Sequence, residues 1–213
     1  MTTLTKEGFL DLLTAALVKV KENFDYLNQL DSATGDGDHG TAVVASLNAA
    51  INKATEAVKA GSPFAQMLSD IGWGIMTETS GTTSSLTGSL FLGMSEAAKA
   101  EELDASAVCQ MFVAGLANVK TMTNAKPGDK TLMDALVPAI EAMEALEKAN
   151  PNATLAEFLK AAADAADAGA KATENLTAKF GRAKNLGDRS VGHIDAGATS
   201  VALMFAAFAE AAA

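Results

Sequence analysis

The chain lacks much of what staples, spans or colours a protein. It has one cysteine, Cys109, in 213 residues, so no internal disulfide can form, and that fits a reducing, cytoplasmic compartment. Aromatic residues make up 5%, with a single tryptophan and a single tyrosine. A core must then come from small aliphatic side chains, and abundant alanine suits closely packed helices. No apolar run is long enough to span a bilayer; the C-terminal VALMFAAFA is halted by Glu210. Early charges at Lys6, Glu7 and Asp11 do not read as a signal peptide. Basic residues are outnumbered, 16 against 26 acidic ones, for a net charge of −10. The expectation is therefore no nucleic-acid and no membrane partner. A small phosphorylated ligand stays possible, because local charge can oppose the global sign.

Strand-type alternation is missing as well, and helix signals run almost throughout. The expected fold is all-α: one domain over residues 1–213, an up-down barrel of eight antiparallel helices. A first helix is expected from about Thr5 to Leu30, with Phe9, Leu13, Leu17, Val20, Phe24 and Leu27 as its apolar stripe. A second follows His39 and ends near Gly61, and Ser62–Pro63 reads as the start of a third. The fourth carries Leu86, Leu90 and Met94. Asp104 caps a fifth whose face is Val108, Met111, Phe112, Leu116 and Val119. The sixth is expected from Lys130 to about Ala149, with Pro138 as a kink or local fault. Thr154 and Glu157 form a capping box for a seventh that runs to Gly181, and the last begins near Ala196. Cys109, Trp73 and the methionines read as packing residues.

Four loops carry unusual polar chemistry: residues 31–41, 78–85, 123–131 and 181–197. They precede the second, fourth, sixth and eighth helices. Alternate loops of an up-down bundle share one end, so one rim should gather them. The first contains TGDGDHGT, with Asp31 just upstream of Asp36 and Asp38. Carboxylates at about 4 Å repel by roughly 4 kcal/mol at an effective dielectric near 20. Either they point apart into water, as turn and cap residues do, or a cation sits among them. An EF-hand is excluded, because counting from Asp36 puts Thr41 at position six and Leu47 at position twelve. An all-carboxylate set favours a hard cation, Mg²⁺ first, which commonly shares its ligands with waters and phosphates. SGTTSS offers hydroxyls and N–H groups at a helix N-terminus, which suits either capping or an anion. Arg182, Lys184 and Arg189 make a local positive cluster. No Walker sequence, protein-kinase signature or nucleophile–histidine pairing is present.

LDSATGDGDHG, KPGDKTLMDALVP and GRAKNLGDRSVGHIDAGATS together resemble the nucleotide-binding L subunits of dihydroxyacetone kinases, in order and over nearly the whole chain. The resemblance implies an eight-helix barrel with the nucleotide on one rim. It implies that Asp31, Asp36 and Asp38 hold two Mg²⁺ ions. His39, Gly40, Thr41 and Ala42 would meet the phosphates of ADP or ATP, with Thr82 and Thr83 as a second phosphate-side loop. Thr123, Leu132, Arg182, Asp195, Ala196 and Gly197 would complete the nucleotide contacts. The family commonly has GGASGPL where Gly81 to Leu86 read GTTSSL after a serine, glycine in place of Thr123, and D-P-G where Asp195-Ala196-Gly197 stands. The implied reaction is phosphoryl transfer to dihydroxyacetone, or to a related ketose such as erythrulose, held on a histidine of a separate K subunit. A phosphotransferase-system M subunit would rephosphorylate the bound ADP. An alternative role is a nucleotide-loaded module that signals to a transcription regulator.

Overall fold

Apolar residues at helical spacing become helices, but their ends are set by what lies next to them. A computed structural model describes residues 3–213. Among these are nine α-helices: α1 (Lys6–Glu22), α2 (Phe24–Thr34), α3 (His39–Ala60), α4 (Phe64–Glu78), α5 (Thr82–Ala97), α6 (Ala105–Met122), α7 (Met133–Ala149), α8 (Leu155–Ala172) and α9 (Ala196–Ala212). Two 3₁₀ segments, Thr173–Asn175 and Arg182–Ser190, lie between α8 and α9.

Each helix from α3 to α9 packs on the next, and α1 packs on both α9 and α3, which closes a ring. α2 packs on the same two helices as α1. The two therefore form one bent wall, and the eight-walled barrel expected from the sequence contains nine helices. The single first helix expected over residues 5–30 is broken at Asn23, whose backbone (φ −109°, ψ 15°) leaves the helical region. Its side-chain amide donates to the Lys19 carbonyl at 2.9 Å and so satisfies the end of α1. α2 then runs beyond Leu30 to Thr34, which places Asp31 on a helix.

Other boundaries also move. Pro63, not Ser62, is the N-cap residue of α4. α7 starts at Met133 instead of Lys130 and continues through Pro138. α8 ends at Ala172, well before Gly181, because Thr173 is drawn into contacts with the loops beside it. The capping box at Thr154 and Glu157 is present, and so is the Asp104 cap on Ala107 N at 2.8 Å.

The barrel is filled mainly by alanine, leucine and other aliphatic side chains, with phenylalanines in edge contact among them. Phe9 meets Phe64 and Phe91 edge-on at centroid distances of 5.7 and 6.2 Å, and Phe205 meets Phe112 and Phe208 at 5.5 and 5.9 Å. Cys109 is buried among them as expected, and burial pushes its thiol up to about 12, so it is inert. Trp73 is not a packing residue: it is 57% exposed. One rim is plain. There Leu4 pairs with Leu103, and Lys6 Nζ donates to the Ser62 carbonyl at 2.5 Å. None of the helices is long and apolar enough to cross a membrane among the described residues.

Candidate metal and phosphate site

The opposite rim is built on the α2–α3 hairpin. Asn28 and Asp31 are three residues apart on α2 and share a face. Asn28 Oδ1 accepts from Gly40 N at 2.7 Å. Asp31 Oδ2 accepts from Gly37 N at 2.8 Å and Asp38 N at 3.0 Å. These three bonds set the path of DGDHG. A side chain at position 35 would put its Cβ 3.0 Å from Asp31 Cγ, so glycine is needed for the Asp31 carboxylate to reach the loop.

The result is a cluster in which Asp31, Asp36 and Asp38 each offer an oxygen, all within 4.8 Å of one another. Asp38 occupies the N-cap position of α3, yet its side chain caps nothing, so the carboxylate stays available. Arg182 pairs with Asp36 and brings the 181–197 loop onto the cluster. Asp36 and Asp38 are exposed and Asp31 is half-buried, which leaves one side open to water and ligand. Hard oxygen donors on one side and an open face on the other suit Mg²⁺ shared with phosphates.

The α3 and α5 starts at this rim get no side-chain cap from their N-cap residues, although Asn28 already takes the Gly40 N–H of α3. Their first N–H groups carry partial positive charge and are suited to an anion. At α5, Gly81 holds φ 100°, and the Ser84 and Ser85 hydroxyls donate backwards to the Ser80 and Gly81 carbonyls at 3.1 Å each. Thr82 and Thr83 are left at the helix start, exposed and half-buried respectively. Thr41 is exposed on the first turn of α3, with Ala42 half-buried beside it.

His39 takes a different position from the rest of its motif. Its ring is buried, and Nε2 lies 3.0 Å from Ser200 Oγ. Ser200 donates its one proton to the Gly197 carbonyl at 2.9 Å, so His39 Nε2 is the donor. Burial lowers the imidazole's pKa, against the opposing pull of Asp31, and favours the neutral ring. His39 thus ties the start of α3 to the start of α9.

Of the remaining expected residues, Leu132 and Gly197 lie beside one another. A Cβ on Gly197 would lie 3.4 Å from Leu132 Cβ. Leu132, Gly197, Thr83 and Ser200 line the same apolar pocket as Phe9 and Phe208. Thr123 is the C-cap residue of α6 in extended conformation (φ −145°, ψ 147°), so its backbone tolerates a side chain where the resembled family has glycine. Its hydroxyl accepts from Ala125 N at 3.1 Å. Asp195 caps α9 through Ala198 N at 2.7 Å, so that helix start, with buried Ala196, is already satisfied by the chain itself.

Burial raises the Asp195 carboxyl to about 6; the Ala198 amide opposes this, Asp134 and Asp31 add to it, and Lys130 offsets it. The folded state therefore binds this proton more tightly than the unfolded chain, whose carboxylate titrates near 4. Asp195 should contribute more stability as pH falls from about 7 toward 4. Asparagine retains the cap but cannot titrate. In Asp195→Asn, the melting temperature followed over that range should lose part of its rise at low pH; an unchanged profile would refute the assignment.

Asn28, Lys130, Asp134, Thr173 and Ser200 were not picked out by motif reading. Asn28 had a local signal, since it is one turn before Asp31 on a helix. Asp134 had one too: it bends back from the first turn of α7 to accept from Gly128 N at 2.6 Å and Thr131 N at 2.7 Å. The other three act across long stretches of sequence.

Against this geometry, the family model of the DAK2 domain matches residues 33–210. The chain belongs to the DAK2-domain family. It is 34% identical over 182 residues to the ADP-binding subunit DhaL of PEP-dependent dihydroxyacetone kinase 2 from Listeria innocua, covering 85% of this chain and 83% of that one. It is 34% identical over 191 residues to the ADP-binding subunit DhaL of the Escherichia coli PEP-dependent dihydroxyacetone kinase, 88% of each chain. D-erythrulose kinase of Mycolicibacterium smegmatis is 33% identical over 194 residues, which is 91% of this chain but 33% of that longer one. The crystal structure of the C. freundii dihydroxyacetone kinase in complex with AMP-PNP and Mg²⁺ superposes with a TM-score of 0.67 at 26% identity, covering 94% of this chain and 33% of that one. The DAK2 domain here is thus similar both to free-standing subunits and to one third of longer kinases.

Proposed function

We propose that this DAK2 domain is the nucleotide-binding subunit of a dihydroxyacetone kinase, active only with partner subunits. The observation that carries the reading is the three-carboxylate cluster of Asp31, Asp36 and Asp38 on the same rim as the starts of α3 and α5, whose N-cap residues supply no side-chain cap. When bound, two Mg²⁺ ions supply positive charge that offsets the phosphate oxygens of ADP or ATP. The chain's own part is positional. Asp31 aligns the loop, Asp36 and Asp38 present oxygens, and the α3 and α5 termini offer N–H groups to the phosphates. Arg182, held at Asp36, adds a positive charge beside the phosphates. Leu132 and Gly197 form the apolar side against which the rest of the nucleotide lies. Such a site accelerates phosphoryl transfer by positioning and electrostatics, without a covalent step on this chain.

The ketose is expected on a K-type partner and ADP rephosphorylation on a phosphotransferase M-type partner, because the similar L. innocua and E. coli subunits come from PEP-dependent kinases. Similarity to D-erythrulose kinase supports a four-carbon ketose as the second candidate acceptor. Native mass spectrometry of the purified chain with Mg²⁺ and ADP should show one ADP and two magnesium ions added. A chain that adds neither would overturn the reading. Turnover with each ketose in the presence of K and M partners identifies the acceptor.

A further inference from the structure

Lys130 combines three unfavourable features. It is the only non-glycine residue with positive φ among the described residues, at 59°. It is 2% exposed. Its ammonium makes no ion pair among the described residues; it donates to the Thr173 carbonyl at 2.7 Å and to the His193 carbonyl. A left-handed lysine and a buried ammonium whose direct partners are carbonyls both cost stability, even with Asp195, Asp134 and Glu174 near enough to offset part of the charge, and such strain collects where position matters. A methionine would fill the same space without burying a charge.

The two carbonyls show what Lys130 joins. Thr173 follows the end of α8, and His193 lies two residues before Asp195. The segment between them is largely exposed and has little apolar anchorage. It is held by Lys130, by Asp195 N donating to Thr173 Oγ1 at 2.9 Å, by Gly192 N donating to the Glu174 carbonyl at 2.7 Å, by Lys179 on Asp129 and the Gly128 carbonyl, and by Arg182 on Asp36. Two residues beyond Lys130 stands Leu132, and two beyond Asp195 stands Gly197. Leu132 and Gly197 stand side by side on the pocket wall, close enough that a Cβ on Gly197 would lie 3.4 Å from Leu132 Cβ. Asp134 secures the other side of the turn through Gly128 N and Thr131 N.

We infer that Lys130 is a positioning residue for nucleotide binding: by pinning the Thr173 and His193 carbonyls together it sets the gap between Leu132 and the Asp195–Gly197 stretch. The inference rests on the nucleotide site proposed above. Lys130 itself touches neither the aspartate cluster nor the phosphate-side helix starts, and the segment it pins reaches the cluster through Arg182 at Asp36, so metal affinity and nucleotide affinity can be measured apart.

The experiment measures three quantities on the full chain: Mg·ADP affinity, Mn²⁺ affinity without nucleotide, and melting temperature. The variants are Lys130→Met, Thr173→Val and, as a control, Phe158→Leu in the core far along α8. Lys130→Met should weaken Mg·ADP binding at least about ten-fold, mainly through faster release, with Mn²⁺ affinity unchanged. Thr173→Val removes the acceptor for Asp195 N and should loosen ADP in the same direction. Phe158→Leu should lower the melting temperature without moving ADP affinity. If Lys130→Met binds Mg·ADP like the parent, or loses no more affinity than a control of equal melting temperature, the inference is overturned. If Lys130→Met does not fold, Lys130→Asn decides, since asparagine tolerates the positive φ and is too short to reach the two carbonyls, and parental ADP affinity there overturns it. A parent chain that does not bind Mg·ADP at all would overturn the site reading itself.

Discussion

Asp38→Asn is expected to weaken Mg·ADP binding by at least about 100-fold while leaving the melting temperature of the magnesium-free protein unchanged or slightly raised. Loss of a residue that only orients a metal ligand typically costs 10–100-fold, so removing a ligand oxygen should cost no less. The reason that stability is spared lies in the helix start. Asp38 holds the N-cap position of α3, but its side chain accepts no capping bond, so asparagine removes no cap. What it does remove is one of three negative charges gathered within 4.8 Å. Relief of that repulsion is modest, because Asp38 is exposed and screened by solvent. Titration calorimetry with Mg·ADP and a melting curve without magnesium check both halves. Parental affinity would remove Asp38 from the metal set, and a large fall in melting temperature would make it a structural cap after all.

Gly169→Ala should produce the largest loss of stability of any single methyl addition, about 3 kcal/mol or more, or a melting temperature roughly 6–12 °C lower. Pro138 has no N–H to give the carbonyl of Asp134 one turn before it. α8 approaches α7 at this gap, with the Gly169 backbone against that carbonyl. A Cβ there would overlap the Asp134 oxygen and lie 3.0 Å from its carbonyl carbon. Backbone cannot swing aside as a flexible side chain can, so the two helices must part. Because the Asp134 carboxylate holds Gly128 N and Thr131 N, the shift should also reach the Lys130 turn and weaken nucleotide binding. A variant that melts with the parent would mean the two helices stand farther apart than described.

The proline and glycine of this contact show where reading along the chain stops. Pro138 was visible and read as a kink or fault; α7 instead runs through it, and the missing bond becomes the place where a neighbour docks. Gly169 gives no signal within an alanine-rich helix, because the need for it comes from a residue on another wall. Trp73 failed in the same way. Its helix is amphipathic, but which side of α4 faces water depends on α3 and α5, and the indole is left outside.

In the rim the division is equally clear. The aspartate cluster was legible because Asp31, Asp36 and Asp38 are close along the chain and their charges demand an explanation wherever the chain goes. The α6 and α9 starts, and the Thr154–Glu157 box, were legible because caps act over three or four residues. The Asn23 break, the early end of α8 and the left-handed Lys130 were not. Each depends on a partner brought near only by barrel closure, as the His39–Ser200 and Lys130–His193 bonds are. Helical content, the acidic motif and the gathering of four polar loops on one rim follow from short-range periodicity and alternation, which the order of residues specifies directly. The spacing of those loops, the tautomer of His39 and the seating of the buried ammonium follow from packing between distant walls, and such forces exist only once the ring has closed.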